Sequence, residues 1–174
     1  MDQKMKMSAL EMALDNELKE RAFYLGHAER TRNPIGKAMF LQIADDELEH
    51  YSRLKQLHGK WMEQGRWPEA LDLGVRGTAI GETLRELVAK AAGSPESDAD
   101  DMEALRVAAD FESRGVEAYA ALAMGMDDVR EKAFFELLAG IEREHYLALK
   151  DAQEYFLDPS SWFTRRERHG LDGA

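Results

Sequence analysis

Ile43-Ala44-Asp45-Asp46-Glu47-Leu48-Glu49-His50-Tyr51 decides the fold, because the chain contains it twice. Leu138-Ala139-Gly140-Ile141-Glu142-Arg143-Glu144-His145-Tyr146 repeats it at an offset of 95 residues. The same offset carries Glu17 to Glu112 and Tyr24 to Tyr119, and aligning 9–55 with 104–150 gives about 17 identities in 47 positions. A repeat of this length is one supersecondary unit used twice. The chain therefore reads as two copies of one helical hairpin.

On a helix, Glu47 and His50 stand three residues apart and share a face, separated by roughly 4–5 Å along the axis. Phe40, Ile43, Ala44, Leu54 and Leu57 mark that face as apolar in the first copy. Phe135, Leu138, Ala139, Leu149 and Phe156 mark it in the second. Glu17 has Leu10, Ala13, Leu14 and Tyr24 around it, and Glu112 has Leu105, Ala108 and Tyr119. Four glutamates and two histidines are thus expected to point into a core. Unpaired carboxylates there are costly. Metal ions held by mixed carboxylate and imidazole ligands remove that cost, and such a donor set suits iron or manganese.

One Glu from each of two helices and one Glu-x-x-His from each of the other two is the ligand inventory of ferritin-like di-metal carboxylate proteins. With the Glu…Tyr and Leu-Ala-x-x-Glu-x-x-His segments, the chain resembles the rubrerythrin-like branch of that superfamily over roughly 9–60 and 104–157. A lone Glu-x-x-His carries little weight in a chain that is 33% charged; two at matched offset, each with its upstream Glu and Tyr, carry much more. The plain alternative is a bundle that keeps a polar but metal-free core.

The resemblance implies an all-α, ferritin-like four-helix bundle, a single domain over 1–174, with a long crossover between the second and third long helices. It implies two iron ions, with manganese or zinc as possible substitutes. Glu47 and Glu142 would bridge them, Glu17 and Glu112 would be terminal ligands, and His50 and His145 would each serve one metal. Tyr24 and Tyr119 would orient carboxylates, with plain core packing as the alternative. The chain departs from the resembled family in two places. It has no cysteine, so the rubredoxin-type domain is missing. The extra Glu expected three residues after Glu112 is Gly115, while Glu20 stands at the pseudo-symmetric place after Glu17. Glu20 is either a seventh metal ligand or near-ligand, or a surface residue.

The implied activity is a non-haem di-iron oxidoreductase that reduces hydrogen peroxide, or oxidises Fe(II) with peroxide or oxygen. Glu47, Glu142, Tyr24 and Tyr119 would be its catalytic residues, and a separate electron-donor protein its partner. A non-catalytic iron-binding protein and a metal-stapled structural module are the alternatives.

Composition agrees and narrows the partners. At 174 residues, 44% hydrophobic, with four prolines, the chain suits one helical domain. A net charge of −11 disfavours nucleic acid and anionic membranes as partners. No apolar run is long enough to span a bilayer, no signal peptide is visible after Met1, and the absence of cysteine fits a cytoplasmic protein.

In order, the first long helix is expected from an N-cap at Ser8 to Thr31, then a break at Arg32-Asn33-Pro34. The second helix reaches about Trp61. The crossover 62–98 holds a short helix near 81–91 and the turn-rich stretch Gly93–Asp98. The third long helix covers about 100–124, and the fourth follows an Asp N-cap and ends near Leu157 before Asp158-Pro159. Trp61 and Trp67 are expected to cover the end of the bundle. In the tail 158–174, Trp162 and Phe163 are expected to pack on the bundle or on a second subunit of a homodimer. Arg165, Arg166 and Arg168 follow them. His27, His58 and His169 lack a Glu at ligand spacing and are taken as surface or structural histidines.

Overall fold

The computed structural model describes residues 3–68, 74–90 and 99–164. Among them lie five helices: α1 (Gln3–Arg30), α2 (Pro34–Gln64), α3 (Ile80–Lys90), α4 (Ala99–Met124) and α5 (Val129–Leu157). A further short helical stretch covers 159–164. The four long helices form the expected all-α bundle. No helix among the described residues is long and apolar enough to cross a membrane.

The two hairpin turns are built alike. Asn33 caps α2, its side chain accepting from the N–H groups of Ile35 at 2.9 Å and Gly36 at 3.0 Å, with Pro34 in the first turn. Asp128, at the offset of 95, caps α5 by accepting from Arg130 N–H at 2.8 Å and Glu131 N–H at 3.3 Å. Each cap satisfies backbone donors that a helix start leaves open. Gly65 ends α2 at φ 65°, a left-handed conformation that favours glycine.

Ser8 is not an N-cap. It lies inside α1, which already runs from Gln3. The extra turns are held by Lys6, whose Nζ reaches Glu131 Oε2 at 2.6 Å in a buried ion pair joining the starts of α1 and α5. A cap signal is local, and this tertiary partner overrides it.

Helix directions follow from side-chain pairs. His50 faces Glu17 and His58 faces Glu11, so α1 and α2 are antiparallel. Tyr24 reaches Glu112 and Tyr119 reaches Glu17, so α4 is antiparallel to α1 and parallel to α2. That parallel pair requires a long crossover, and α3 is part of it. Its Ile80, Leu84 and Val88, one per helical turn, are buried against α2 and α5. The crossover helix thus closes the α2–α5 side of the bundle.

Two apolar layers fill the interior. One holds Tyr24, Phe40, Ile43, Leu105, Leu149 and Tyr155 together with α3. The other holds Leu10, Leu54, Leu57, Trp61, Phe134, Phe135 and Leu138. Fully burying each large side chain stabilises the fold by about 1.5–3 kcal/mol. Trp67 packs edge-on against Trp61, Phe134 and Phe135 and closes the second layer, as expected of it. Trp162 is buried against Tyr155, and its Nε1 donates to Asp151 at 2.7 Å, so the start of the tail packs on α5. The expectations for Gly93–Asp98, the three tail arginines and His169 lie outside the described residues.

Candidate metal centre

Between the two apolar layers lies a polar one. Glu17 from α1, Glu47 and His50 from α2, Glu112 from α4, and Glu142 and His145 from α5 meet there, none more than 2% exposed. Each is placed by helical spacing. In α2, Phe40, Ile43, Glu47, His50, Leu54 and Leu57 fall on one buried stripe, and α5 repeats this with Phe135, Leu138, Glu142, His145 and Leu149.

Both imidazoles turn Nδ1 toward the carboxylates. His50 Nδ1 lies 3.0 Å from Glu47 Oε2 and 3.2 Å from both Glu17 Oε2 and Glu142 Oε1. His145 Nδ1 lies 3.4 Å from Glu47 Oε1 and Glu112 Oε2 and 3.5 Å from Glu142 Oε2. Two four-residue clusters result: Glu17, Glu47, His50, Glu142 and Glu47, Glu112, Glu142, His145. Within each, one donor atom per residue lies within 4.8 Å of the others. Glu47 and Glu142 belong to both.

The tyrosines hold the outer carboxylates crosswise. The Tyr24 hydroxyl donates to Glu112 Oε1, and the Tyr119 hydroxyl donates to Glu17 Oε1. Each hairpin thus orients the other's glutamate.

Without metal the layer is electrostatically strained. Burial, and next the charge of Glu47, hold the Glu17 carboxyl well above its usual range; burial does the same to Glu112. Burial opposes charge on the imidazoles too, but the surrounding carboxylates outweigh it and push both histidines well above normal. Burial also works against ionised Glu47 and Glu142, yet the two imidazoles hold both below the ordinary value. Six polar atoms of these residues still have no hydrogen-bond partner: Glu47 Oε1, His50 Nε2, Glu112 Oε2, both Glu142 oxygens and His145 Nδ1. Five of the six are atoms gathered at the centre, and buried polar atoms are normally satisfied. Divalent cations fit this donor set, because they take oxygen and imidazole nitrogen together and remove the need for the extra protons.

The structure adds a residue that sequence reading passed over. Asp46 Oδ2 lies 3.1 Å from His145 Nε2, across the hairpins. Only its place beside Glu47 on a core-facing helix hinted at this. At the offset of 95 its counterpart is Ile141, which has no acceptor.

Glu20 stands apart from both four-residue clusters. It is half-buried and lines a cavity of about 520 Å3 between α1 and α4, with Glu17, Gly115 and Tyr119 also on the wall. Burial, and then the charges of Glu47, Glu142, Glu112 and Glu17, push its carboxyl up to about 11. Opposite it, a Cβ on Gly115 would come within 3.3 Å of Glu142 Cγ, so a side chain there would press on Glu142. His27 and His58 lie outside the centre, beside Arg30 and Glu11.

Residues 8–80 match the family model described as Rubrerythrin, a span that takes in most of α1, all of α2 and the first residue of α3. Among solved structures, "Hypothetical Protein Pfu-1136390-001" from Pyrococcus furiosus is similar, with a TM-score of 0.65 at 24% identity. The match covers 88% of this chain and 90% of that one, and it speaks for the fold alone. No curated protein matches the chain.

Proposed function

We propose that this rubrerythrin-like chain is a non-haem di-iron oxidoreductase that reduces hydrogen peroxide, or oxidises Fe(II) with peroxide or oxygen. The observation that carries this reading is the pair of buried clusters sharing Glu47 and Glu142. In it, Glu47 and Glu142 would serve both metal positions, Glu17 and His50 would complete one, and Glu112 and His145 would complete the other. Bound iron supplies one-electron redox chemistry and a Lewis-acidic place for a small oxidant.

The residues around that place do the rest. Tyr24 and Tyr119 fix the rotamers of Glu112 and Glu17 through their hydroxyls, so the carboxylates face inward without searching. Both phenols are held well above their usual range, by burial first and then by the neighbouring carboxylates, so each keeps its proton and remains a donor. The apolar layers on either side exclude bulk water and strengthen every charge interaction between them. The cavity along α1 and α4 offers a small oxidant a way to Glu17. A chain without cysteine cannot ligate an iron–sulfur centre through thiolates, so the electrons come from a separate donor protein.

The test is anaerobic loading with two equivalents of Fe(II), followed by rapid mixing with peroxide or with oxygen. Fast oxidation by peroxide and slow oxidation by oxygen is the expected result. Reaction with neither would remove the enzymatic reading and favour iron binding without turnover.

A further inference from the structure

The internal repeat allows the two halves of the centre to be compared position by position, at the offset of 95. Most of the comparison is even. Each half has one outer Glu, one His with Nδ1 inward and one Tyr donating to the outer Glu. Besides Glu20, whose counterpart is Gly115, two differences bear on the metal positions, and both fall on the same half.

The first lies behind the histidines. His145 Nε2 has Asp46 as its acceptor at 3.1 Å, whereas His50 Nε2 is buried with no hydrogen-bond partner. Ile141 occupies the position from which a second carboxylate would have reached it. A carboxylate behind a ligating imidazole fixes the tautomer that presents the other nitrogen and makes that nitrogen a stronger donor. His145 has this support; His50 lacks it.

The second difference lies in what covers each half. Beside Glu112 the α1–α4 seam is plugged by Phe23 and Phe111, with ring centroids 4.9 Å apart. Their counterparts beside Glu17 are Ala118 and Asn16, and both line the 520 Å3 cavity. Two ring pairings by Phe23, with Tyr24 and His27, complete the plug. Two aromatic rings have been replaced by a methyl and a short amide, and the space they would fill is open. The wall of that opening is mostly apolar, with Lys19 and Arg114 also on it, and Asn16, Glu17 and Glu20 place oxygen donors along it. The crossover helix α3 covers α2 and α5 and leaves this side uncovered.

We propose that the two metal positions have different roles: the one at His145 and Glu112 keeps its ion, and the one at His50 and Glu17 exchanges its ion with solvent through the α1–α4 cavity. This rests on the dinuclear reading above and deepens it. The exchangeable ion is a divalent cation of the kind the centre binds, entering by way of Asn16, Glu20 and Glu17. Asp46 acts as a positioning residue for the retained ion.

The experiment uses the full chain, freed of metal, loaded with two equivalents of Co(II) and then challenged with excess EDTA while bound cobalt is followed by absorption. Wild type is expected to release its cobalt in two phases of equal amplitude, with rates at least tenfold apart. Asp46→Ala should speed the slow phase by about 10- to 100-fold and leave the fast phase alone; Asp46→Asn, which keeps an acceptor oxygen, should do so less. Ala118→Phe, at an exposed position that restores the missing ring, should slow the fast phase at least tenfold without changing the slow one. Both ions leaving in one phase would overturn the proposal, and so would Asp46→Ala acting on the fast phase or Ala118→Phe acting on neither. Binding of fewer than two cobalt ions would overturn the dinuclear reading itself, and the proposal with it.

Discussion

Glu47 and Glu142 each face both histidines, at 3.0 to 3.5 Å from an Nδ1. No other carboxylate belongs to both clusters. Removing either one therefore takes a donor from two positions at once. Glu47→Ala and Glu142→Ala are each expected to abolish binding of at least one metal, by elemental analysis, while circular dichroism shows helix content unchanged. The fold is expected to survive because the two apolar layers that carry most of the burial are untouched. Normal two-metal binding by either variant would disprove the bridging roles. Glu20 belongs to a different class. Burial and then the same carboxylates raise its pKa, yet no donor atom of it joins either cluster.

At the scale of the helix, the repeat shows how much the sequence could tell. Glu17, Glu47, His50, Glu112, Glu142 and His145 were legible because each stands at helical spacing from large apolar residues, and because the offset of 95 repeats the whole set. The turns were legible for a similar reason: Pro34 and Asp128 mark helix starts through local backbone chemistry. What could not be read depends on partners remote in sequence. Lys6 extends α1 through Glu131, 125 residues away, and Asp46 meets His145, 99 residues away. Nor does spacing reveal a cavity, which arises from what two helices fail to fill; Asn16 and Ala118 look ordinary until Phe111 and Phe23 are seen plugging the other half. The matched caps give a test at this scale. Asn33→Ala and Asp128→Ala should each cost about 1 kcal/mol, since each removes a side chain accepting from two N–H groups. Denaturant midpoints should fall by similar amounts in the two variants with unchanged slope; a difference of several-fold would show that the two turns are not equivalent.

For the whole molecule, the polar layer couples metal, protons and stability. In the metal-free protein His50, His145, Glu17 and Glu112 all hold protons more tightly than they would in the unfolded chain. As pH rises through the ordinary carboxylate and then imidazole ranges, the unfolded chain releases those protons while the native state keeps them. The native state then binds more protons than the unfolded one, and its stability falls with rising pH. Glu47 and Glu142 act with the opposite sign, but their contribution is complete once the unfolded carboxylates have ionised. On the proposed reading, divalent ions would displace the protons and so bind better as pH rises. The gap in Tm between metal-loaded and metal-free protein should therefore widen from pH 5 to pH 8. A gap that is constant or narrows over that range would contradict the assignment of the layer as the binding site.

The most direct measurement on the central claim is an anaerobic titration of the metal-free chain with Fe(II), read by elemental analysis after gel filtration, for wild type and for a His50→Ala, His145→Ala double variant. Six buried donors arranged as two clusters with two shared carboxylates predict two ions per wild-type chain. The double variant, with both imidazoles gone, is predicted to retain neither ion tightly. One ion or none in wild type, or two ions retained by the double variant, would contradict the account.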